Sequence, residues 1–327
     1  MRKVWISLWL LLALMGACTA PQSAQTPGDQ AGQEETHLAE VVPPLAALDL
    51  PAGTKLRVVV STSLVGDVVA QIGGDAIDLY GLLPPGADPH GYQVTPDDLR
   101  AISDAHLLFI NGLGLEESLE SVLEEARNKT VPVNAGVAVL EAGEDAEHTG
   151  GNPHTWWSIA AVAQWTHTIE DSLSAVDPAH ADMYAANASA YRAELTSLSA
   201  ELQKLVAQLP VAERKLATDH DTLAYFAQAF GFQIVGLVVP SFSSLAEPSA
   251  QHLAQLQDQL RAEKVVALFV GSTVNPRQAE QLAQDLGIRV VPIFTDSLSA
   301  ADGPAATYVD FMRYNVGKIV AALSGMD

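Results

Sequence analysis

The sequence of 327 residues predicts an α/β protein, two (β/α) lobes with mostly parallel sheets joined by one long rigid helix. Three observations predict it. Short apolar strand-like runs alternate with helical runs from Lys55 to about Val139, the pattern of a parallel sheet covered by helices. The same alternation resumes after Pro210. Between them runs Pro178–Leu209, with no Gly or Pro between His180 and Leu209. A helix of about 30 residues spans about 45 Å, long enough to join two lobes.

The elements follow in order. Arg2 and Lys3 precede an apolar core, Val4–Leu14, too short to span a membrane and suited to a signal peptide over residues 1–17. Met15-Gly16-Ala17-Cys18 resembles a bacterial lipobox, which implies a lipid on Cys18 as membrane anchor. Cys18 is the only cysteine, so no intramolecular disulfide and no thiolate ligation is possible. Residues 18–52, rich in Gln, Ala, Pro, Gly, Thr and Glu, read as a disordered tether. The N-terminal lobe is expected over 53–177. Its strands are Lys55–Thr62, Ile77–Leu83, Leu107–Ile110 and a short one within Val131–Val139. Its helices are Leu64–Ile72, Pro96–Asp104, an acidic amphipathic run Leu115–Arg127, and Ser158–Val176. The linking helix is placed at 178–210. In the C-terminal lobe, 211–327, strands are expected at Lys215–Thr218, Phe232–Val239, Val265–Val270 and Arg289–Phe294. Helices are expected at Thr222–Phe230, Ser249–Ala262, Pro276–Leu286 and Thr307–Leu323.

Composition narrows the function. At 48% hydrophobic residues the chain is long enough for two ordinary domains. A formal net charge of −22 argues against a nucleic-acid partner, which needs a basic face. Most of that charge serves solubility.

The informative stretch is Gly86–Asp98. Pro89 fixes its own backbone and keeps Asp88 extended, so His90 sits on a stiff loop. Thr95-Pro96-Asp97-Asp98 then starts a helix, with Thr95 as N-cap and Asp98 as capping-box partner. Asn152-Pro153-His154 repeats the polar-Pro-His pattern. His220 and Asp296 each follow a predicted strand, at the carboxyl edge where α/β sheets place ligands. Three imidazoles and one carboxylate make a four-coordinate set of the kind Zn²⁺ accepts. More than sixty residues separate each from the next, so a large fold has to assemble them, in the cleft between lobes.

Taken together, several motifs resemble the metal-binding solute-binding lipoproteins of bacterial ABC importers for zinc and manganese. They are Gly86–His90 with Thr95-Pro96, Asn111–Glu116, Asn152–Trp156, His220 with Ala224-Tyr225-Phe226, and Glu247-Pro248-Ser249. Phe294–Leu298 and Tyr308 with Met312–Asn315 complete the set. The resemblance covers nearly the whole chain after Lys55. It implies a metal site of His90, His154, His220 and Asp296, a linking helix that allows only a small closure, and no catalysis. It implies a membrane permease as partner, a monomer, and an extracytoplasmic, lipid-anchored location. In the family, His at the third position goes with zinc and Glu with manganese, so His220 favours Zn²⁺ as cargo, with Mn²⁺ or both metals as the alternative. The chain departs from the family at Gly271, where a Glu is common, leaving Glu247 as a candidate replacement. Trp157-Ser158 also stands where Leu-Asp is common. The loop at 141–152 is short and acidic where many zinc members carry a His-rich one.

Other readings are weaker. The pairs Asp97-Asp98, Glu116-Glu117 and Glu124-Glu125 read as solvated helix faces or helix starts, not as catalytic dyads. A zinc hydrolase would need an open metal position and a base, nominally Asp221 or Glu247. An adhesin lipoprotein is a third reading. His37, His106, His167, His180 and His252 are read as non-ligands, and His148 as an inert loop residue. Trp156, Trp157 and Trp165 cluster in sequence near His154 and are expected in the core or at the rim, where they would report ion binding.

Overall fold

The computed structural model describes residues 41–51, 53–140 and 151–325. The predicted signal peptide, Cys18, His37 and the loop with His148 lie outside them. The first sheet holds β1 (Leu56–Val60), β2 (Ile77–Gly81), β3 (Leu107–Ile110) and β4 (Thr130–Pro132). The second holds β5 (Lys215–Thr218), β6 (Gln233–Leu237), β7 (Ala267–Gly271) and β8 (Arg289–Ile293). All neighbouring strands are parallel, in the orders β2-β1-β3-β4 and β6-β5-β7-β8. In each sheet the first strand lies between the second and the third, so the two lobes share one topology. β3 and β7 are buried along their whole length, as expected of parallel strands covered on both faces.

The helices are α1 (Ser63–Gly73), α2 (Pro96–Asp104), α3 (Glu120–Glu125), α4 (Ile159–Val176), α5 (Ala181–Val206), α6 (Ala224–Phe230), α7 (Ala250–Ala262), α8 (Arg277–Leu286) and α9 (Tyr308–Ser324). The predicted long helix is α5, 26 residues after a tight turn at Pro178–His180. Its buried stripe is Tyr184, Ala188, Tyr191, Leu195, Leu198, Leu202 and Val206, a three-to-four spacing that keeps one face inward. That face packs on α1 and α4 of the first lobe and on α9 of the second. One apolar cluster runs unbroken from Leu56, Val58 and Phe109 through α5 to Leu216, Phe269 and Met312. Smaller clusters lie on the outer faces, under α2 and α3 and under α7 and α8. Lobes that share a core in this way have little freedom to hinge. Among the described residues no helix is long and apolar enough to cross a membrane.

Two expectations change. Residues 41–51 have no regular structure, yet Val42, Leu45 and Leu50 pack on the core, and Leu48 N donates to Val176 O at 2.8 Å. The end of the predicted tether is therefore packed chain. The second change concerns Leu115–Arg127. The helix begins only at Glu120, because Gly112, Leu113 and Gly114 all take positive φ and make a tight turn. Glu116 is buried, 4% exposed, and does not belong to a solvated face. Its Oε1 accepts from Ser61 Oγ at 2.6 Å and Asn111 N at 2.7 Å, and its Oε2 accepts from Gly112 N at 3.0 Å. The carboxylate thus ties the carboxyl end of β1 to that of β3.

Glu116→Ala should leave these donors buried and unpaired. Urea unfolding should show a loss of about 2–4 kcal/mol with little change in slope.

Candidate metal centre

His90 lies on a single tight turn, Pro89–Gly91, in the loop after β2. Asp88 Oδ1 accepts from His90 N at 3.0 Å, and Asp88 Oδ2 accepts from Ser244 Oγ of the second lobe at 2.6 Å. The predicted capping box forms: Thr95 Oγ1 accepts from Asp98 N, and Asp98 Oδ2 accepts from Thr95 N. Asp98 also accepts from the hydroxyls of Tyr80 and Tyr92. These bonds stake the loop on both sides of His90.

His154 sits in the segment 152–157, wedged between the lobes. Toward the first lobe, Asn111 Nδ2 donates to Pro153 O, and Thr155 Oγ1 donates to Asn134 Oδ1. Toward the second, Asn152 Nδ2 donates to Asp221 O, Trp156 Nε1 to Thr295 O and Trp157 Nε1 to Thr222 Oγ1. Tyr225 and Tyr308 donate their hydroxyls to Asn152 O and Trp156 O. His220 follows β5 and Asp296 follows β8, both at the carboxyl edge of the second sheet.

The four residues predicted from sequence come together. One ligand atom from each of His90, His154, His220 and Asp296 lies within 4.8 Å of all the others. His154 Nε2 is 3.3 Å from His90 Nε2, and Asp296 Oδ1 is 3.7 Å from Nε2 of both His154 and His220. A tetrahedral ion with ligands at about 2.0–2.1 Å separates its donors by about 3.3–3.4 Å, so these spacings suit one. His154, His220 and Asp296 are buried and His90 is half-buried.

The hydrogen bonds set the tautomers. His154 Nδ1 faces Asn152 Oδ1 at 2.8 Å, and His220 Nδ1 faces Asp219 Oδ1 at 3.0 Å. Both partners are acceptors, so each Nδ1 carries a proton and Nε2 is the ring atom turned into the cluster, free to donate its lone pair once it is deprotonated. His220 Nε2 is buried with no hydrogen-bond partner, an orphan aimed at the centre. Asp296 Oδ2 accepts from Thr273 Oγ1 at 3.1 Å and from Thr295 Oγ1, which leaves Oδ1 to face the imidazoles.

Electrostatics match this layout. Burial alone would raise the Asp296 pKa, but the charges and hydrogen bonding of His220, with His154 and His90, hold it well below the usual carboxylate range. Burial would lower His220, but Asp219 and Asp296 outweigh it and raise it well above the ordinary imidazole value.

Sequence reasoning missed Asp219. It is buried behind His220, and its Oδ2 also accepts from Gly271 N at 2.7 Å. Glu247, the expected stand-in for a carboxylate at 271, is exposed, and the carboxylate that meets the backbone at 271 is that of Asp219. Local sequence held one signal, the acidic residue directly before His220. The remaining described histidines stand outside the four-residue group. His106 Nδ1 accepts from Arg57 N, His180 pairs with Asp177, His252 Nε2 bonds Leu237 O, and His167 is exposed. All three core tryptophans are buried, and Trp156 meets the His154 ring edge-on at 5.1 Å between centroids.

The family described as "Zinc-uptake complex component A periplasmic" matches residues 58–322. The manganese-binding lipoprotein of Halalkalibacterium halodurans is 32% identical over 273 residues, 83% of this chain and 90% of that protein. Among solved structures, the periplasmic zinc-binding protein of Treponema pallidum superposes with a TM-score of 0.77 at 28% identity, covering 83% of this chain and 99% of that one. The Mn-bound periplasmic metal-binding protein of Candidatus Liberibacter asiaticus gives 0.72 at 30% identity, covering 82% and 99%.

Trp156 contacts the His154 ring, whereas Trp165 donates to Asn134 Oδ1. Adding Zn²⁺ to the stripped protein should change its tryptophan emission. Trp156→Phe should remove most of that change and Trp165→Phe should keep it, as a fluorescence titration of the three proteins would read.

Proposed function

The chain belongs to the family of zinc-uptake complex component A, and from that premise we propose that it is an extracytoplasmic solute-binding protein that captures a divalent transition metal and delivers it to the permease of an ABC importer. Zinc is the first cargo. The observation that carries this is the donor set, three imidazoles with one oxygen of Asp296, the other oxygen being held by Thr273 and Thr295. Four donors in a buried site suit four-coordinate Zn²⁺, while Mn²⁺ favours carboxylate, water and six-coordinate geometry. The structural relative from Treponema pallidum is a zinc-binding protein, which agrees. A manganese or dual-metal importer is the second reading, supported by manganese-binding relatives such as the lipoprotein of Halalkalibacterium halodurans. Its lipoprotein relatives also support an anchor on Cys18 that keeps the protein at the outer face of a bacterial membrane.

The mechanism is binding without bond chemistry. The proton on His220 must leave before the ion enters, and Asp296 supplies the negative charge that remains. A tetrahedral ion filled by four protein donors keeps no open position for an activated water, which tells against the hydrolase reading. The adhesin reading requires no metal at all, so metal titration separates it from transport.

Calorimetric titration of the metal-stripped full chain should give one tight zinc site. His154→Ala or Asp296→Ala should weaken it by more than the about 10–100-fold typical of changes one shell further out. If Zn²⁺ and Mn²⁺ bind comparably, the dual-metal reading takes over, and if neither binds, the site is wrong.

The pH dependence has a fixed sign. His220 has a raised pKa in the empty site, so a proton competes for it even where a free imidazole is neutral. Affinity should therefore fall as pH drops, starting above about pH 6.5. An affinity flat between about pH 7.5 and 5 would falsify the ligand set.

A further inference from the structure

We propose that Asp219 is the residue that sets the preference of this site for zinc-like ions over manganese, and that Gly271 is what admits it. The inference rests on the metal-site reading above and concerns how that site chooses its ion.

The first observation is how completely the Asp219 carboxylate is occupied. Oδ1 accepts from His220 N at 2.8 Å, from Thr218 Oγ1 at 3.1 Å and from His220 Nδ1 at 3.0 Å. Oδ2 accepts from Gly271 N at 2.7 Å. Both oxygens must therefore be acceptors. An amide in this place would turn its NH₂ against at least one donor. The sheet order puts the carboxylate there, because β5 lies beside β7 and Thr218 pairs with Phe269.

The second observation is the space at Gly271. A Cβ there would stand 3.1 Å from Asp219 Oδ2 and would collide with Thr295 Oγ1. Thr295 Oγ1 is the hydroxyl that donates to Asp296 Oδ2. The one missing side chain thus makes room for the group that holds His220 and for the group that holds Asp296. Both ligands of the second lobe are positioned around a single glycine.

The third observation is a contrast within the site. His154 is backed by the neutral amide oxygen of Asn152, His220 by a carboxylate. A carboxylate behind Nδ1–H fixes the ring and makes Nε2 a stronger donor. Stronger imidazole donation favours ions late in the first-row order, such as zinc, and does little for manganese, which prefers oxygen ligands. Asp219 touches no ion itself. It is a positioning residue acting through His220.

The test compares the metal-stripped full-length protein with Asp219→Asn and Gly271→Ala. Zn²⁺ and Mn²⁺ are titrated separately, and Co²⁺ is added to read ligand geometry from its visible spectrum. Asp219→Asn should weaken zinc by about 10–100-fold and manganese by about threefold or less, so the zinc-to-manganese ratio contracts. Its Co²⁺ bands should shift. Gly271→Ala should weaken both metals, because it disturbs His220 and Asp296 together. A ratio within about twofold of wild type in Asp219→Asn overturns the role of Asp219. A wild type that binds neither metal overturns the site itself, a different result. Should Asp219→Asn fail to fold by circular dichroism, the wild type still decides. Long-range ¹H–¹⁵N spectra of the zinc-loaded protein should show His220 metallated at Nε2 with a protected Nδ1 proton. Metal on Nδ1, or no protected proton there, overturns the proposal.

Discussion

A single carboxylate oxygen is the point on which the structure turns. Asp296 Oδ1 lies 3.7 Å from Nε2 of His154 and of His220, in a place that water hardly reaches. A buried carboxylate beside three imidazoles is unfavourable unless its charge is answered and its lone pairs are used. The protein answers it partly with hydroxyls, from Thr273, Thr295 and more distantly Thr222. The rest is answered by the imidazoles, His220 first, which hold its pKa well below the usual carboxylate range. His220 Nε2 is buried in the cluster with no hydrogen-bond partner. On the metal-site reading, an entering ion would displace the proton from His220 and engage that atom.

Holding such a cluster requires a scaffold that does not relax around it. The segment 152–157 provides this by bonding to both lobes at once, so His154 is fixed relative to His220 and Asp296. The apolar core running through α5 joins the lobes behind it. Three of the four clustered side chains therefore form a standing set, buried and braced. His90 is the exception, half-buried on its own loop and joined to the second lobe nearby through Asp88 and Ser244. The lobes also meet where α1 of the first packs on α9 of the second, and Asp67 Oδ2 accepts from Tyr308 N at 2.9 Å. Several separate contacts between the lobes leave little room for a wide opening.

How much of this the sequence discloses depends on whether the cause is local. The four clustered residues are legible because each sits in a local pattern, a polar-Pro-His turn or the end of a predicted strand. The alternation of elements and the length of α5 are legible for the same reason. Glu116 is not. Its helix-like acidic surroundings hide a turn with three consecutive positive φ values, and its partners at Ser61 and Asn111 come from two strands. Asp219 is illegible for a related reason. Its role depends on β7 lying next to β5, which only the strand order reveals, and on a side chain that Gly271 does not have. Sequence names the residues that form the cluster more readily than those that stand behind them.

That asymmetry bears on selectivity. When lobes close widely around a ligand, the extent of closure can itself discriminate, because a poor ligand fails to draw the lobes together. Here the shared core and the wedge at 152–157 restrict closure, so little discrimination can come from motion. It has to come from the donors and from what stands behind them. The donors are three imidazoles and one carboxylate oxygen, a set that by intrinsic affinity binds several first-row ions in a fixed order. The protein changes the spacing within that order only by tuning each donor through its partner. In this chain those partners differ from ligand to ligand: an amide behind His154, a carboxylate behind His220, hydroxyls behind Asp296. On the metal-site reading, the groups behind the four clustered residues are therefore where the preference for one ion over another is set.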